Sequence, residues 1–408
     1  MLEKLYKIFT LHRKISTDSR KIEKDSIFFA LSGENFNGNR FAQDALDKGA
    51  VCAVIDDATY LKDERYILVD NTLTTLQALA NYHRNTLNIP VIAISGSNGK
   101  TTTKELLGAV LSQKFKVKST IGNLNNHIGV PLTLLNITPE DEIAIIEMGA
   151  SHGGEIELLC QIAMPNFGLL TNVGRAHLEG FGGEEGVKKA KGELYDFLEA
   201  NLGKAFFRED DATISQMIAQ RPKLKTLAYT SSEPIPENQL VGSYNKFNVA
   251  AAVCVGRYFG ISEEQITQAI ENYTPTNNRS QRTNTELNSL IIDCYNANPS
   301  SMESALENFK TEQGENKIVI LGDMFELGEF SSFEHLKILT TLETIGIKKA
   351  ILVGKNFIEV AGDYKPKNYS LSYYENCEKT KENLNIKDSL ILLKGSRATH
   401  LEELIKHL

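Results

Sequence analysis

Apolar runs of strand length, each closed by a glycine or polar turn and followed by a helix-length amphipathic stretch, recur along this chain. A continuous apolar run has no polar side to give to water. Such strands must be covered on both faces, which is the situation of parallel strands in an α/β sheet. SIFFAL and AVCAVID come first, with FAQDALDKGA and TLQALANYHRNT as their helices. From Val91 the runs grow denser, with VIAIS at 91–95, EIAIIEMG at 142–149 and FGLLTNVG at 167–174. LIIDCYN, KIVILGDM, KAILVGKN and SLILLKGSR then repeat the design and predict a further open parallel sheet. At 408 residues the chain exceeds the size at which a single core keeps growing. The reading is α/β in three lobes, residues 1–88, 89–282 and 283–408. Asn88-Ile89-Pro90 marks the first boundary, because proline restrains the residue before it and cannot continue a helix. Residues 221–239 are polar, contain prolines and show no clear period, so they read as a loop or a peripheral insertion.

Composition removes several classes of function. Forty-four Lys and Arg against 52 Asp and Glu leave a formal charge of −8, which argues against binding duplex nucleic acid or a polybasic attraction to membranes. An anionic ligand would need a local positive pocket. The cysteines, Cys52, Cys160, Cys254, Cys294 and Cys377, are scattered without a C-x-x-C pair, as expected for reduced thiols in a cytosol. No stretch of about eighteen apolar residues occurs, and charges interrupt the first sixteen residues. A cytoplasmic protein without stable membrane insertion, acting as a monomer, is therefore expected.

In open parallel sheets, ligands gather outside the carboxyl ends of the strands. VIAIS is followed there by Gly96-Ser97-Asn98-Gly99-Lys100-Thr101-Thr102-Thr103, a glycine turn running into a helix. Glycines let successive backbone N–H groups turn toward phosphate oxygens, the helix N-terminus adds its dipole, and Lys100 adds a full charge. Thr101 stands where a phosphate loop ligates Mg²⁺. The long form of the motif needs glycine at position 94, where this chain has Ile94, so the match is to a shorter Gly-x-x-Gly-Lys-Thr form. Glu147 closes AIIEMG, and His177 follows GLLTNVG. If these strands are parallel neighbours, Thr101, Glu147 and His177 share one sheet edge. Lys188, Lys189 and Lys191 lie in GVKKAKGELYDFL, where the plain reading is the solvated face of a helix and nothing singles out Lys191.

Taken in order, these strings resemble the Mur ligases of peptidoglycan synthesis over nearly the whole chain. They are Thr17-Asp18-Ser19-Arg20 before IFFALSGENFNGNRF, then GSNGKTTTKE, GNLNNHIGVPLTLL, IEMGAS and TNVGRAHLEGFG with AKGEL. DCYNANPSSMESAL, LGDMFELGEFS and LLKGSR complete them. YNANPSSM and GDMFELG look like the branch that adds D-alanyl-D-alanine to a UDP-N-acetylmuramoyl-tripeptide. The sibling that adds diaminopimelate or lysine carries an Asp-Asn-Pro-Arg string not found here. The resemblance implies a UDP-binding lobe, a central ATPase lobe and a Rossmann-like lobe that closes on the amino substrate. It also implies an acyl-phosphate mechanism. The phosphate loop alone would equally suit a folylpolyglutamate synthase-like ligase or a non-catalytic nucleotide-binding module.

Carried over residue by residue, the resemblance gives Gly96 to Thr102 to the phosphates of ATP, with Lys100 on the transferred phosphoryl group and Thr101 and Glu147 at a first Mg²⁺. His177 would serve a second Mg²⁺ with Lys191, which is carbamylated in this family. Asn245 and Asn248 match the family's Gly-x-His-Asn-x-x-Asn, with Tyr244 in place of the histidine. They would contact adenine or order the site, and as plain chemistry they would cap the alanine-rich helix behind them. Arg279 or Arg282 would approach the γ-phosphate, since a guanidinium matches phosphate geometry. Asp293 would meet the ribose, with Tyr295 and Asn296 beside it; the family often has two acids here, whereas Ile292 and Cys294 flank Asp293. Asp18, Ser19 and Arg20 would hold the uridine diphosphate, and Asn125 and Asn126 the muramoyl substrate or its activated carboxylate. Asp323, Ser396 and Arg397 would receive the dipeptide, Arg397 through its carboxylate.

Overall fold

The computed structural model describes residues 1–240, 242–275, 281–314 and 316–408 and is built on three open sheets. In the first part of the chain, β1 (Ile15–Ser16) and β2 (Ile27–Phe29) lead into a small antiparallel hairpin, β3 (Ser32–Gly33) with β4 (Phe36–Asn37). β5 (Cys52–Ile55) and β6 (Tyr66–Leu68) follow, and the parallel sheet runs β1-β2-β5-β6.

The second sheet contains β7 (Val91–Ser95), β8 (Val117–Ser119), β9 (Ile143–Glu147), β10 (Phe167–Leu170), β11 (Lys204–Arg208) and β12 (Lys225–Tyr229). Its order is β12-β11-β10-β7-β9-β8, parallel throughout. Every residue of β7 and β9 is buried, as continuous apolar runs require. The stretch 221–239, read from sequence as a loop or insertion, supplies β12 instead. That strand lies at the edge and buries only Tyr229 fully, so it carries no apolar run to announce it.

The third sheet contains β13 (Gln281–Asn284), β14 (Asn288–Asp293), β15 (Lys317–Gly322), β16 (Lys349–Val353), β17 (Ser370–Tyr374) and β18 (Ser389–Lys394). It runs β13-β14-β18-β15-β16-β17, and β13 alone is antiparallel to its neighbour. β13 begins at Gln281, so the sheet reaches back across residue 283.

The first two sheets are joined by a common core rather than a loose hinge. Leu5, Phe9, Leu76 and Leu79 pack in one cluster with Val130, Leu134, Ile156 and Leu159. Asn71 caps the helix Thr72–Thr86 by accepting from the Thr74 N–H, and near its far end this helix carries the buried Arg84. Arg84 donates from Nε to the Ala163 carbonyl (3.0 Å), from Nη1 to Leu87 (3.0 Å), and from Nη2 to Met164 (3.0 Å) and Asn166 Oδ1 (2.9 Å). Asn166 Oδ1 also accepts from the Val91 N–H at 3.0 Å, so the clamp sets where β7 begins. Removing the guanidinium leaves buried carbonyls without donors, a cost of about 2–4 kcal/mol. Arg84→Met should therefore lower the urea midpoint of unfolding, read by circular dichroism.

Candidate active site

β7 lies between β9 and β10, and the chain reaches those neighbours on opposite sides. Its connections therefore diverge, leaving a crevice at the carboxyl ends of β7, β9 and β10. The three sequence motifs read as strand ends all open into it. The crevice continues as one cavity of ≈ 780 Å³, walled on the far side by the third sheet through Asp293, Tyr295, Asn296, Asn298 and Lys394.

The loop after β7 has no ladder partners and is held by the exit of β10. The N–H groups of Ser97 and Asn98 donate to the carbonyl and the side-chain Oδ1 of Asn172, at 3.1 and 3.0 Å. The Asn98 carbonyl in turn accepts from Thr171 Oγ1 (2.5 Å) and Asn172 Nδ2 (2.9 Å). Gly96 has φ 134°, and a Cβ there would lie 2.1 Å from Thr171 Oγ1. Gly99 has φ 80°, and its Cβ would lie 2.6 Å from Asn248 Oδ1. Both positions accept glycine alone, for backbone angle and for space. Gly99 is the N-cap of the helix Lys100–Leu111, whose first turn faces the cavity. Lys100 folds back, its Nζ donating to the carbonyls of Gly96 (2.7 Å) and Ser97 (3.1 Å).

Asn245 and Asn248 brace this loop. Tyr244, not an asparagine, stands at the N-cap of the helix Asn245–Tyr258, and its side chain makes no capping hydrogen bond. Asn248 accepts from Thr103 Oγ1 at 3.1 Å and donates to Asn245 Oδ1 at 2.8 Å. Asn245 thus lies inside the helix rather than at its N-cap, and both residues also line the cavity.

On β9, Glu147 Oε1 accepts from Thr101 Oγ1 (3.2 Å) and from Asn125 Nδ2 (2.8 Å). Its Oε2 is buried and makes no hydrogen bond, with Lys104 Nζ 3.9 Å away. A buried carboxylate oxygen without a donor beside a threonine hydroxyl fits a hard cation, which would draw its remaining ligands from phosphate and water. Among the described residues no three His, Cys, Asp or Glu side chains form a metal-holding cluster. Asn126 lines the same wall and turns its Oδ1 to the N–H groups of Ile128 (3.1 Å) and Gly129 (2.9 Å).

Beyond β10 the chain is gripped by the third sheet's lobe. Arg175 pairs with Glu303 (2.6 Å) and Glu334 (3.0 Å), and its N–H donates to Ser300 Oγ at 2.7 Å. Asn98 and Asn298 exchange side-chain hydrogen bonds, with Asn298 Nδ2 2.7 Å from Asn98 Oδ1. Asn298 also forms a capping box with Ser301 ahead of Pro299, which starts the helix Pro299–Thr311. His177 meets Glu326 through Nδ1, and the imidazole holds Glu326 below the usual carboxylate range.

Lys191 is a core side chain rather than a solvated one. It is 1 % exposed on the helix Glu184–Ala200, with its ammonium 5.3 Å from the centre of the Phe181 ring. Burial, reinforced by the charge of Lys100, lowers its pKa to about 7. Lys188, by contrast, remains on the surface and pairs with Glu185.

In the third lobe, Asp293 and Lys394 are cross-strand partners on β14 and β18 and form an ion pair of 2.5 Å at the cavity wall. Tyr295 and Asn296 line the cavity, and the exposed Arg397 lies over the Tyr295 ring at 5.4 Å. Two of the residues expected to receive the dipeptide make other contacts within the third lobe. Asp323 is buried, and its oxygens accept the N–H groups of Asn356 and Phe357, each at 2.9 Å, so its carboxylate starts a helix. Ser396 is buried too and bridges the Phe325 N–H and the Ala297 carbonyl. Neither lines the cavity. Arg282 pairs with Glu312 on β13, and Arg279 lies outside the described residues. Asp18 and Arg20 form an exposed pair in which the guanidinium lowers the Asp18 pKa to about 2, and Ser19 begins the short turn behind it. None of these three residues lines the cavity. Asn172, Asn298, Ser300 and Glu326 escaped the sequence reading; each lies in a quoted motif, but its partner is far away in the chain.

Three family models cover most of the chain. They are described as Mur ligase family, catalytic domain (residues 12–95), Mur ligase middle domain (94–239), and Mur ligase, glutamate ligase domain (278–397). The UDP-N-acetylmuramoyl-tripeptide--D-alanyl-D-alanine ligase of Bacillus subtilis is 34% identical, over 98% of this chain and 93% of the relative. The crystal structure of MurF from Acinetobacter baumannii superposes with a TM-score of 0.87 at 29% identity, covering 96% of this chain and 92% of that one. MurF ligase from Thermotoga maritima, solved in complex with ADP, gives 0.86 at 27% identity and 97% coverage of both chains. The chain belongs to the Mur ligase family, among its MurF members.

Proposed function

We propose that this chain uses ATP to join D-alanyl-D-alanine to the terminal carboxylate of UDP-N-acetylmuramoyl-tripeptide, in the cytoplasmic synthesis of a peptidoglycan precursor. The observation that carries this reading is the single cavity shared by the phosphate loop, the Asn125–Glu147 wall and the third lobe. Carboxylate activation needs the triphosphate, the acid and the amine inside one volume that excludes water. One chain carries every group the reaction invokes, so a monomer suffices.

A carboxylate is a poor electrophile at neutral pH. Its oxygen attacks the γ-phosphorus, ADP leaves, and the resulting acyl phosphate is attacked by the dipeptide amine, releasing phosphate and a proton. The N–H groups from Gly96 to Thr102 receive the phosphates, and Lys100 turns from its two carbonyls to the phosphoryl group in transfer. Thr101 and Glu147 would hold a first Mg²⁺, and His177 with Lys191 a second. Bound there, Mg²⁺ supplies positive charge to the phosphoryl oxygens. An ammonium cannot ligate a cation, but a buried amine with a pKa near 7 is substantially neutral and able to add CO₂. The new N–C bond, with loss of a proton, makes Lys191 an anionic oxygen ligand.

Asp293 would take the ribose beside Tyr295 and Asn296, while Asn245 and Asn248 keep the loop in shape. Asn125 and Asn126, on the cavity wall, would meet the muramoyl substrate or its activated carboxylate, and Arg397, beside the ring of Tyr295, would take the dipeptide carboxylate. Asp18, Ser19 and Arg20 would bind the uridine diphosphate at the far end of the substrate. Residues 1–88, 89–282 and 283–408 accordingly divide the work into UDP, ATP and amine lobes.

ADP release should require both UDP-N-acetylmuramoyl-tripeptide and D-alanyl-D-alanine, with the pentapeptide product identified by mass spectrometry; turnover without either substrate would refute the reading. Lys100→Ala should reduce kcat/KM by about 10³-fold, roughly 4 kcal/mol of transition-state stabilisation. Gly96→Ala should abolish binding of an ATP analogue by calorimetry, since its methyl group collides with Thr171. Incubation with ¹³C-bicarbonate should produce a carbamate carbon resonance that Lys191→Ala lacks.

A further inference from the structure

Within LGDMFELGEFS, Asp323 is taken up by a helix start, and Glu326 is left facing the cavity from the loop after β15. Its Oε2 meets Nδ1 of His177, which belongs to the second sheet's lobe. The two segments touch again where the Glu179 N–H donates to the Glu326 carbonyl at 3.4 Å and where Gly328 packs on the Glu179 side chain. His177 and Glu326 both hold left-handed backbone, with φ 53° and 61°. That conformation is unfavourable for a residue with a Cβ and persists where surroundings over-determine it, often at functional sites.

Nδ1 of His177 is buried and stands against the Glu326 carboxylate in a close ion contact rather than a directed hydrogen bond, and the ring borders the cavity. A carboxylate beside Nδ1 favours the proton on that nitrogen, which leaves the lone pair of a neutral imidazole on Nε2.

We infer that Glu326 is a positioning residue for the second Mg²⁺ site: carried by the third lobe, it holds His177 as the Nδ1–H tautomer and presents Nε2 to the metal. This rests on the reading of His177 as a metal residue. Its consequence is that the site is complete only when the third lobe is seated on the second. Closure and metal binding then become linked equilibria, each favouring the other by the same factor.

The test is a Mn²⁺ titration of the full chain followed by electron paramagnetic resonance, with a non-hydrolysable ATP analogue and bicarbonate present. Wild type should bind two ions and His177→Ala one. Glu326→Ala should weaken the second ion about 10- to 100-fold, the usual effect of removing a carboxylate behind a metal-bound histidine. Glu326→Gln should lose less, because its amide oxygen still accepts from Nδ1–H. Glu329→Ala, an exposed neighbour, should match wild type. The Glu326 side chain is 58% exposed, so its removal leaves the fold intact. Wild-type Mn²⁺ affinity in Glu326→Ala overturns the inference, above all if KM for D-alanyl-D-alanine alone rises, which would make Glu326 a receiver of the amine. If wild type and His177→Ala bind the same number of ions, the metal reading of His177 fails and the inference falls with it.

Discussion

The carbonyl of Asn98 is held by two side chains from the neighbouring strand's exit, Thr171 and Asn172. The rest of the site depends on this grip. A curled loop has no strand or helix ladder of its own, so its polar groups must find partners elsewhere or remain costly. By engaging the Asn98 carbonyl and the Ser97 and Asn98 N–H groups, β10 fixes the loop's curl at the start of a helix, where backbone donors and the dipole favour an anion. Asn248 supports the opposite side through Gly99 and Thr103. The glycines are required because those two supports leave no room for a methyl group.

A second set of contacts joins the loop to the third lobe. Asn98 meets Asn298, Arg175 reaches two glutamates, and His177 meets Glu326. All three bridges leave from residues within or near the phosphate loop and the β10 exit, so the position of the third lobe is felt where the phosphates would lie. The first lobe is fused to the second by a shared core and the buried Arg84. The third lobe also shares an apolar cluster with the second, in which Leu178, Phe181, Val187 and Ala190 pack with Met302, Leu306, Met324 and Leu327, and the polar bridges are added to it.

Much of the architecture was legible in the sequence, for a physical reason. VIAIS, EIAIIEMG, KIVILGDM and SLILLKGSR are central strands, and central parallel strands must be apolar on both faces. Edge strands escape that rule, which is why β12 and the largely exposed β17 carried no clear signal. Lys191 was illegible for the opposite reason. Its helix has the composition of a solvated face, and only packing against Phe181 and the second sheet turns one lysine inward. The contacts of Asp323 were not legible because a strand-end aspartate serves equally well as a ligand contact or as an acceptor for helix N–H groups. Which role it plays depends on where the helix after β16 begins.

The sequence by itself determined the α/β class, the glycine loop and the strand ends at which chemistry had to be sought, because periodicity, glycine and proline act locally along the chain. Only the tertiary structure decided which strand ends face one another, that Asn245 and Asn248 brace a loop rather than cap a helix, and that Glu326 stands behind His177. Those relations join residues up to about two hundred positions apart, and no local pattern encodes them. They arise when the sheet order brings three strand ends together and a second lobe is laid over them.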